Sequence, residues 1–248
     1  MAFCKLLRKR VFLTIHYDLG RHGRIKNGLD RLSIKLCDVP FVINEGSFRK
    51  AVRWNKSARL VSAFLPPSEE ELSLPAEQAR LIAEKREAGL AIYVTNASKR
   101  AFLPTGEEIY GIDFLVGFFA GRSKDFLIVS DPLSHYAPRY RTNCPPNVHF
   151  IEGEHPFPAL VKEADFVLRA TATDGDSLSV KEGLYLHKRV ICTDCVSRPA
   201  GVFLFRYGQA ESLEKAIGEA AAYTGEIGLE EESCAALTLN VYKEYGLC

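Results

Sequence analysis

The sequence predicts an α/β protein built on parallel sheets: a Rossmann-like, doubly wound C-terminal domain preceded by a partial N-terminal α/β domain. Three observations predict it. Short apolar runs alternate with helical stretches, the order that gives parallel strands joined by crossover helices. The alternation breaks at Pro66-Pro67-Ser68-Glu69-Glu70-Glu71, where prolines and charge replace periodicity, and then restarts, as it would across a linker between two units. The 248 residues are 47% hydrophobic, enough to bury one good core or two small ones.

In the first part, Arg10 to His16 reads as a buried strand, residues 29–36 as a short helix, and 40–44 and 58–64 as two further strands. These make residues 1–67 a partial N-terminal domain, with 68–75 as linker. After a helix over 76–87, the pattern resumes with strand 90–95, helix 107–119, strands 125–130 and 148–152, helix 157–164, strand 165–169, helix 177–186, strands 189–193 and 202–206, and helix 210–223. That series suffices for a doubly wound domain over 76–225. Residues 232–246 place Ala235, Ala236, Leu239, Val241, Tyr242 and Tyr245 at helical spacing, so 226–248 is expected to end in a helix.

Charge is balanced overall, 32 basic against 31 acidic residues, yet unevenly placed. Residues 1–60 carry 14 Lys and Arg against 4 Asp and Glu. A basic first quarter points to anionic partners, a membrane surface or a lipid-linked phosphate ahead of nucleic acid, with an ordinary solvated surface as the alternative. No apolar run reaches the roughly 18 residues that span a bilayer, and the N-terminus lacks the apolar stretch and cleavage site of a secretory signal. Seven cysteines, an odd number, suit a reducing compartment better than a disulfide framework. The expected location is therefore cytoplasmic, with peripheral contact at the inner membrane face. Cys192 and Cys195 have CxxC spacing but no second pair to complete a zinc site, and they read as structural.

The chemistry concentrates in Asp174-Gly175-Asp176-Ser177-Leu178-Ser179-Val180-Lys181-Glu182, which follows the apolar run Asp165 to Leu168 and opens a helix. A helix start leaves N–H groups unpaired and carries partial positive charge, so small residues there let an anion approach. The N–H groups and hydroxyls around Ser177, Leu178 and Ser179 are candidate phosphate donors, while Asp174 and Glu182 on either side would accept hydrogen bonds from hydroxyl groups. Phosphate between two hydroxyl-bearing ends describes a nucleotide sugar. The plainer alternative makes Asp174, Asp176 and Ser177 helix caps and Glu182 a residue of a solvated face. Neither the P-loop nor the Gly-x-Gly-x-x-Gly pattern occurs, and the histidines show no metal-ligand spacing.

Residues 169–186, together with Val190-Ile191-Cys192-Thr193-Asp194 and Arg198-Pro199-Ala200-Gly201, resemble the donor-binding region of retaining glycosyltransferases of the GT-B fold, family four. Tyr110 to Leu115 resembles the helix after the first strand of that domain, and Thr14-Ile15-His16 a late strand of the other. The resemblance implies a GT-B-like protein in which Asp174, where Glu is commoner, meets the transferred sugar and Glu182 the nucleotide ribose. It implies that His16 contacts the reacting sugar or its phosphate, and that Gly175 and Asp176 belong to the donor loop. Cations neutralise the leaving diphosphate in that family. Lys99, Arg100, Arg169 and Arg198 are the candidates here, because Tyr110 stands where many relatives have a Lys. No metal and no cofactor is implied beyond the nucleotide sugar, with a glycan or lipid-linked acceptor in surface polysaccharide or glycolipid synthesis. The N-terminal domain is expected to be truncated and completed by a homo- or hetero-oligomer. A non-catalytic nucleotide-sugar-binding subunit, or a remnant needing a partner chain, is the alternative.

Overall fold

The computed structural model describes residue 4 and residues 7–20, 22–229 and 233–247. The chain divides into two compact units, one formed by residues 1–65 with 231–248 and the other by residues 66–230.

The first unit holds a parallel three-stranded sheet in the order β1 (Phe12–Ile15), β2 (Val39–Val42), β3 (Arg59–Leu60). Helix α1 (Arg24–Leu36) joins β1 to β2, and helix α2 (Glu45–Trp54) joins β2 to β3. Side chains alternate across β2: Val42 packs with Ile34 of α1 and Ala51 of α2, while Val39 and Phe41 pack with Val241. Val241 belongs to helix α9 (Cys234–Glu244), whose Tyr242 and Tyr245 meet the ring of Phe12 edge-on at 4.8 and 5.6 Å. The start expected for this helix at residue 232 lies outside the described residues.

Three boundaries differ from the sequence expectation. Helix α1 begins five residues earlier than residue 29. Helix α2 was not anticipated, although Phe48, Ala51 and Trp54 recur at helical spacing and pack on one core; a further signal is Asn44, whose side chain accepts from the Ser47 N–H at 2.8 Å as an N-cap. The strand expected over 58–64 pairs only at 59–60, after which Val61 donates one further bond to Val42 and the chain runs toward the Pro66-Pro67 break.

The second unit opens with helix α3 (Ala76–Glu87) and contains six parallel strands in the order β6-β5-β4-β7-β8-β9. These are β4 (Ala91–Asn96), β5 (Asp125–Asp131), β6 (Val148–Glu152), β7 (Phe166–Arg169), β8 (Arg189–Thr193) and β9 (Phe203–Phe205). The connecting helices are α4 (Ile112–Phe119), α5 (Ala137–Tyr140), α6 (Phe157–Glu163), α7 (Leu178–Tyr185) and α8 (Ala210–Ala222). Successive residues of the central strands enter opposite cores. Tyr93, Leu127 and Leu168 face one, while Ile92, Val94, Ile128 and Val167 face the other, which is why these strands read as continuous apolar runs. The strand order reverses between β4 and β7, and ligands of open α/β sheets bind outside the carboxyl ends of strands at such a switch point.

The helix expected over 107–119 starts only at Ile112. Gly111 turns into the left-handed region with φ +63°, and residues 102–108 fold back so that Phe102 pairs with Glu108. Glu108 is buried, and its carboxylate accepts from the N–H groups of Ile112 and Asp113 at 3.1 and 3.0 Å.

Candidate functional site

At the switch point, Arg169 ends β7 and Asn96 ends β4. Arg169 donates from Nη1 to Asn96 Oδ1 at 3.1 Å, and from Nε and Nη2 to the two carboxylate oxygens of Asp174 at 3.0 and 3.1 Å. Its guanidinium lies over the ring of Tyr110, 5.2 Å from the centroid, and the Tyr110 hydroxyl is 2.6 Å from Ser98 Oγ. Arg198, on the loop between β8 and β9, gives Asp174 Oδ2 a further bond at 2.8 Å and reaches Thr171 Oγ1 and the Thr193 carbonyl at 3.1 and 3.0 Å. Loops from β4, β7 and β8 thus meet around one carboxylate and two guanidiniums.

The electrostatics follow from burial. Asp174 and Arg198 are almost fully enclosed, at 9% and 2% side-chain exposure. Burial alone would raise the Asp174 pKa, but the hydrogen bonds and charges of Arg169 and then Arg198 outweigh it and hold the carboxyl at about 2. Two permanent cations against one anion leave the cluster with a net positive charge.

Two helices begin beside this cluster, and they differ. Glu108 already places a carboxylate on the first N–H groups of α4, so that helix start holds an anion of its own chain. Helix α7 begins with Ser177, which makes no side-chain capping bond; its hydroxyl lies 3.2 Å from that of Ser179. A Cβ at Gly175 would meet nothing within 4 Å, and the Gly175 N–H donates to Asp174 Oδ1 at 3.1 Å. Leu178 is exposed. Asp176 turns inward to Lys181, 2.5 Å away, with both side chains buried.

Glu182 lies one turn into α7, largely enclosed. Burial pushes its carboxyl up to about 7, with the charge of Glu71 adding to the shift and Arg169 opposing it. Asp174, expected to meet sugar hydroxyls, here receives Arg169, Arg198, Thr171 Oγ1 and the Gly175 N–H.

Within the second unit, Arg100 and Lys99 take no part in the cluster. Arg100 bonds Asp113 of α4 at 2.9 Å and covers the ring of Phe102, while Lys99 is exposed on the loop after β4. His16 follows β1 in the first unit and is exposed. Sequence reasoning did not select Asn96, Thr171 or Thr193, nor the supporting role of Tyr110. A signal existed for Asn96 and Thr193, polar residues at the carboxyl ends of apolar strands. Among the described residues, no three His, Cys, Asp or Glu side chains converge as a metal-binding group, and no helix is long and apolar enough to cross a membrane.

No protein-family model and no curated protein sequence matches the chain. Solved structures do. HepE from Anabaena, crystallised with UDP and glucose, matches with a TM-score of 0.70 at 12% identity, over 99% of this chain and 73% of that one. A glycosyltransferase from Rickettsia africae ESF-5 gives 0.67 at 13% identity, over 97% and 72%. The trehalose-6-phosphate synthase OtsA gives 0.63 at 12% identity, over 90% of this chain and 62% of that one. At these identities the likeness establishes the fold, the parallel-sheet α/β architecture of GT-B glycosyltransferase structures.

Proposed function

We propose that this chain is a glycosyltransferase that binds a nucleotide-diphosphate sugar at the β4–β7 switch point and passes the sugar to a glycan or lipid-linked acceptor. The observation that carries this reading is the pair Arg169 and Arg198, enclosed at the carboxyl ends of β7 and β8 beside a helix start whose Ser177 makes no side-chain capping bond. In this reading the diphosphate takes the first N–H groups of α7 and the two guanidiniums, which neutralise the charge that gathers as the glycosidic bond breaks. The solved structures of like fold support a uridine donor, since HepE was crystallised with UDP-glucose.

Within the reading, Glu182 accepts from the ribose hydroxyls. Asp174 holds Arg169 and Arg198 in position, its oxygens being already engaged by them. The resemblance to family four supports transfer with retention, a metal-free mechanism, and a role for His16 toward the reacting sugar. His16 stands at the carboxyl end of β1, where such sheets bind ligands. The basic first quarter supports a cytoplasmic protein that works at a membrane face, in surface polysaccharide or glycolipid synthesis. An oligomeric assembly is part of the same proposal, as is a non-catalytic binding role if transfer never occurs; the chain spans 73% of HepE and 62% of OtsA.

A thermal-shift panel of UDP-, GDP-, ADP- and CMP-sugars tests the reading. A ligand that binds the folded chain adds about 2.7 kcal/mol at 100 times its dissociation constant, so a true donor raises the midpoint clearly. No shift with any of the four overturns it. A shift without transfer of labelled sugar to any membrane or glycan extract selects the non-catalytic role.

A further inference from the structure

The link from β4 to α4 is a raised hairpin. Ile109 donates to the Ala101 carbonyl and Leu103 to the Glu107 carbonyl, both at 2.8 Å, and Gly106 turns the tip at φ +91°. Its base is anchored from outside: the Ala172 N–H donates to the Ile109 carbonyl at 2.9 Å, and the Tyr207 hydroxyl to the Glu108 carbonyl at 2.6 Å. Ala172 stands two residues before Asp174 in sequence, so the hairpin rises from the rim of the carboxyl-end crevice.

Phe102 stands on this hairpin, 48% exposed, and packs in neither core of the second unit. The Arg100 guanidinium covers one face of its ring, 4.5 Å from the centroid, and is itself held by Asp113 at 2.9 Å. That contact fixes the ring and leaves its other face outward. Among the described residues Asp113 is the one acceptor Arg100 has, and the Arg100 Nε is enclosed with none. A guanidinium carries five N–H donors, so most of these are without a partner. Glu107, exposed on the same hairpin, adds carboxylate oxygens engaged only by the Thr105 hydroxyl, at 2.7 Å.

The two helices that start at the switch point cover opposite faces of the sheet: Val180 and Leu184 of α7 pack in one core, Ile112 and Leu115 of α4 in the other. Glu182 belongs to the α7 side and the hairpin to the α4 side. A donor with its ribose toward Glu182 and its diphosphate at Arg169 and Arg198 therefore directs its sugar toward the hairpin.

We propose that Phe102, Arg100 and Glu107 form an acceptor subsite, in which a pyranose ring of a glycan stacks its C–H face on the outward face of Phe102. The negative face of an aromatic ring attracts weakly positive C–H groups, and sugar hydroxyls both accept from Arg100 and donate to Glu107. A partner protein would need about 1,200 Å² of buried surface, and one phenyl ring rimmed by charge does not offer it. A nucleobase would stack as well, but the ribose end of the donor lies on the other side of the sheet. The place of this subsite in a transfer reaction rests on the proposed donor site; its binding of a sugar does not.

The test uses the methyl pyranosides of glucose, galactose, mannose and N-acetylglucosamine, each mixed with the full chain, with and without UDP, and followed by saturation-transfer NMR. At least one is expected to bind, with saturation strongest on the hydrogens of one ring face. Phe102→Ala weakens that binding about fivefold, Phe102→Trp restores it and Phe102→Leu does not. All three variants keep the wild-type unfolding midpoint, since the ring lies outside both cores, and the wild-type affinity for UDP. Wild type that binds none of the four sugars overturns the proposal, as does sugar binding that Phe102→Ala leaves unchanged or Phe102→Leu restores. A loss of UDP affinity in Phe102→Ala also overturns it, since the ring would then hold the nucleobase. Wild type that binds a sugar through Phe102 but no nucleotide defeats the donor reading alone.

Discussion

Arg169 grips Asp174 with one edge of its guanidinium, Nε to Oδ2 at 3.0 Å and Nη2 to Oδ1 at 3.1 Å, while Arg198 adds a third bond to Oδ2 at 2.8 Å. The fork geometry matches carboxylate to guanidinium, and the enclosure makes each partner dependent on the others. Removing the carboxylate leaves two cations facing each other out of water. Asp174→Ala is expected to destabilise the chain by about 3–5 kcal/mol, and Asp174→Asn by less, since the amide keeps one acceptor oxygen. Urea denaturation at neutral pH measures both. A loss below about 1 kcal/mol for the alanine variant would show that the arginines are solvated in solution.

The same pairing fixes an acid dependence. The Asp174 pKa is held at about 2, below its ordinary value of 3.8. A depressed carboxyl contributes stability that is present above the unfolded pKa and is lost as pH falls through the folded one. Wild type should therefore lose about 2 kcal/mol from this group between pH 4 and 2, and Asp174→Asn should lack that component. Denaturation midpoints compared across this range decide it; parallel curves for the two proteins would remove the ion pair from the explanation.

Glu182 has the opposite sign. Burial, with Glu71 adding, raises its pKa to about 7 from 4.5. A raised carboxyl contributes stability that is full below the unfolded pKa and disappears as pH climbs through the folded value. Above pH 7 the ionised group is enclosed with Arg169 offsetting only part of the cost, so Glu182→Gln should match wild type near pH 4 and exceed it by about 2–3 kcal/mol at pH 8. The same variant should weaken nucleotide-sugar binding, because an amide offers one acceptor where the carboxylate offers two oxygens. Stability that does not diverge with pH would place the carboxyl in water.

Gly111 joins the β4 loop to the β7 loop by close approach. A Cβ built there lies 2.2 Å from the Ala170 carbonyl oxygen, and the backbone is left-handed at φ +63°. Left-handed geometry costs a side-chain-bearing residue about 1–2 kcal/mol, and the clash is with backbone, which cannot swing aside. Gly111→Ala is expected to lose about 2–4 kcal/mol in thermal or urea unfolding and to move Tyr110 off Arg169. A loss under about 0.5 kcal/mol would mean that the two loops do not touch.

The strands of the second unit were legible because both faces of its sheet are covered, so Ile92 to Val94 and Phe126 to Val129 read as unbroken apolar runs. The start of α7 was legible through its small and acidic residues. Helix α2 was missed although Phe48, Ala51 and Trp54 carry a helical period among the cations Arg49, Lys50 and Arg53, and α4 was placed too early because a capping glutamate before a left-handed glycine resembles helical sequence. The cluster around Asp174 was half legible. Its acid and Arg198 stood out, but Asn96 and Thr193 end strands 78 and 19 positions away in sequence, and only the strand order brings them to Asp174.

Arg198 offers the sharpest separation of phosphate binding from scaffold. Hydrogen bonds to a charged partner contribute about 1.5–3 kcal/mol, so Arg198→Gln is expected to weaken UDP binding roughly thirtyfold while leaving uridine unchanged, and Arg198→Lys should recover part of the loss as a point charge without the fork. Calorimetric titration of both ligands, at two salt concentrations, measures this. The loss for UDP should change little with salt, because Arg198 is enclosed and buried charges are weakly screened. Equal losses for UDP and uridine would make Arg198 a support for the Thr171 and Thr193 loops, and an unchanged UDP affinity would move the diphosphate away from the β8–β9 loop.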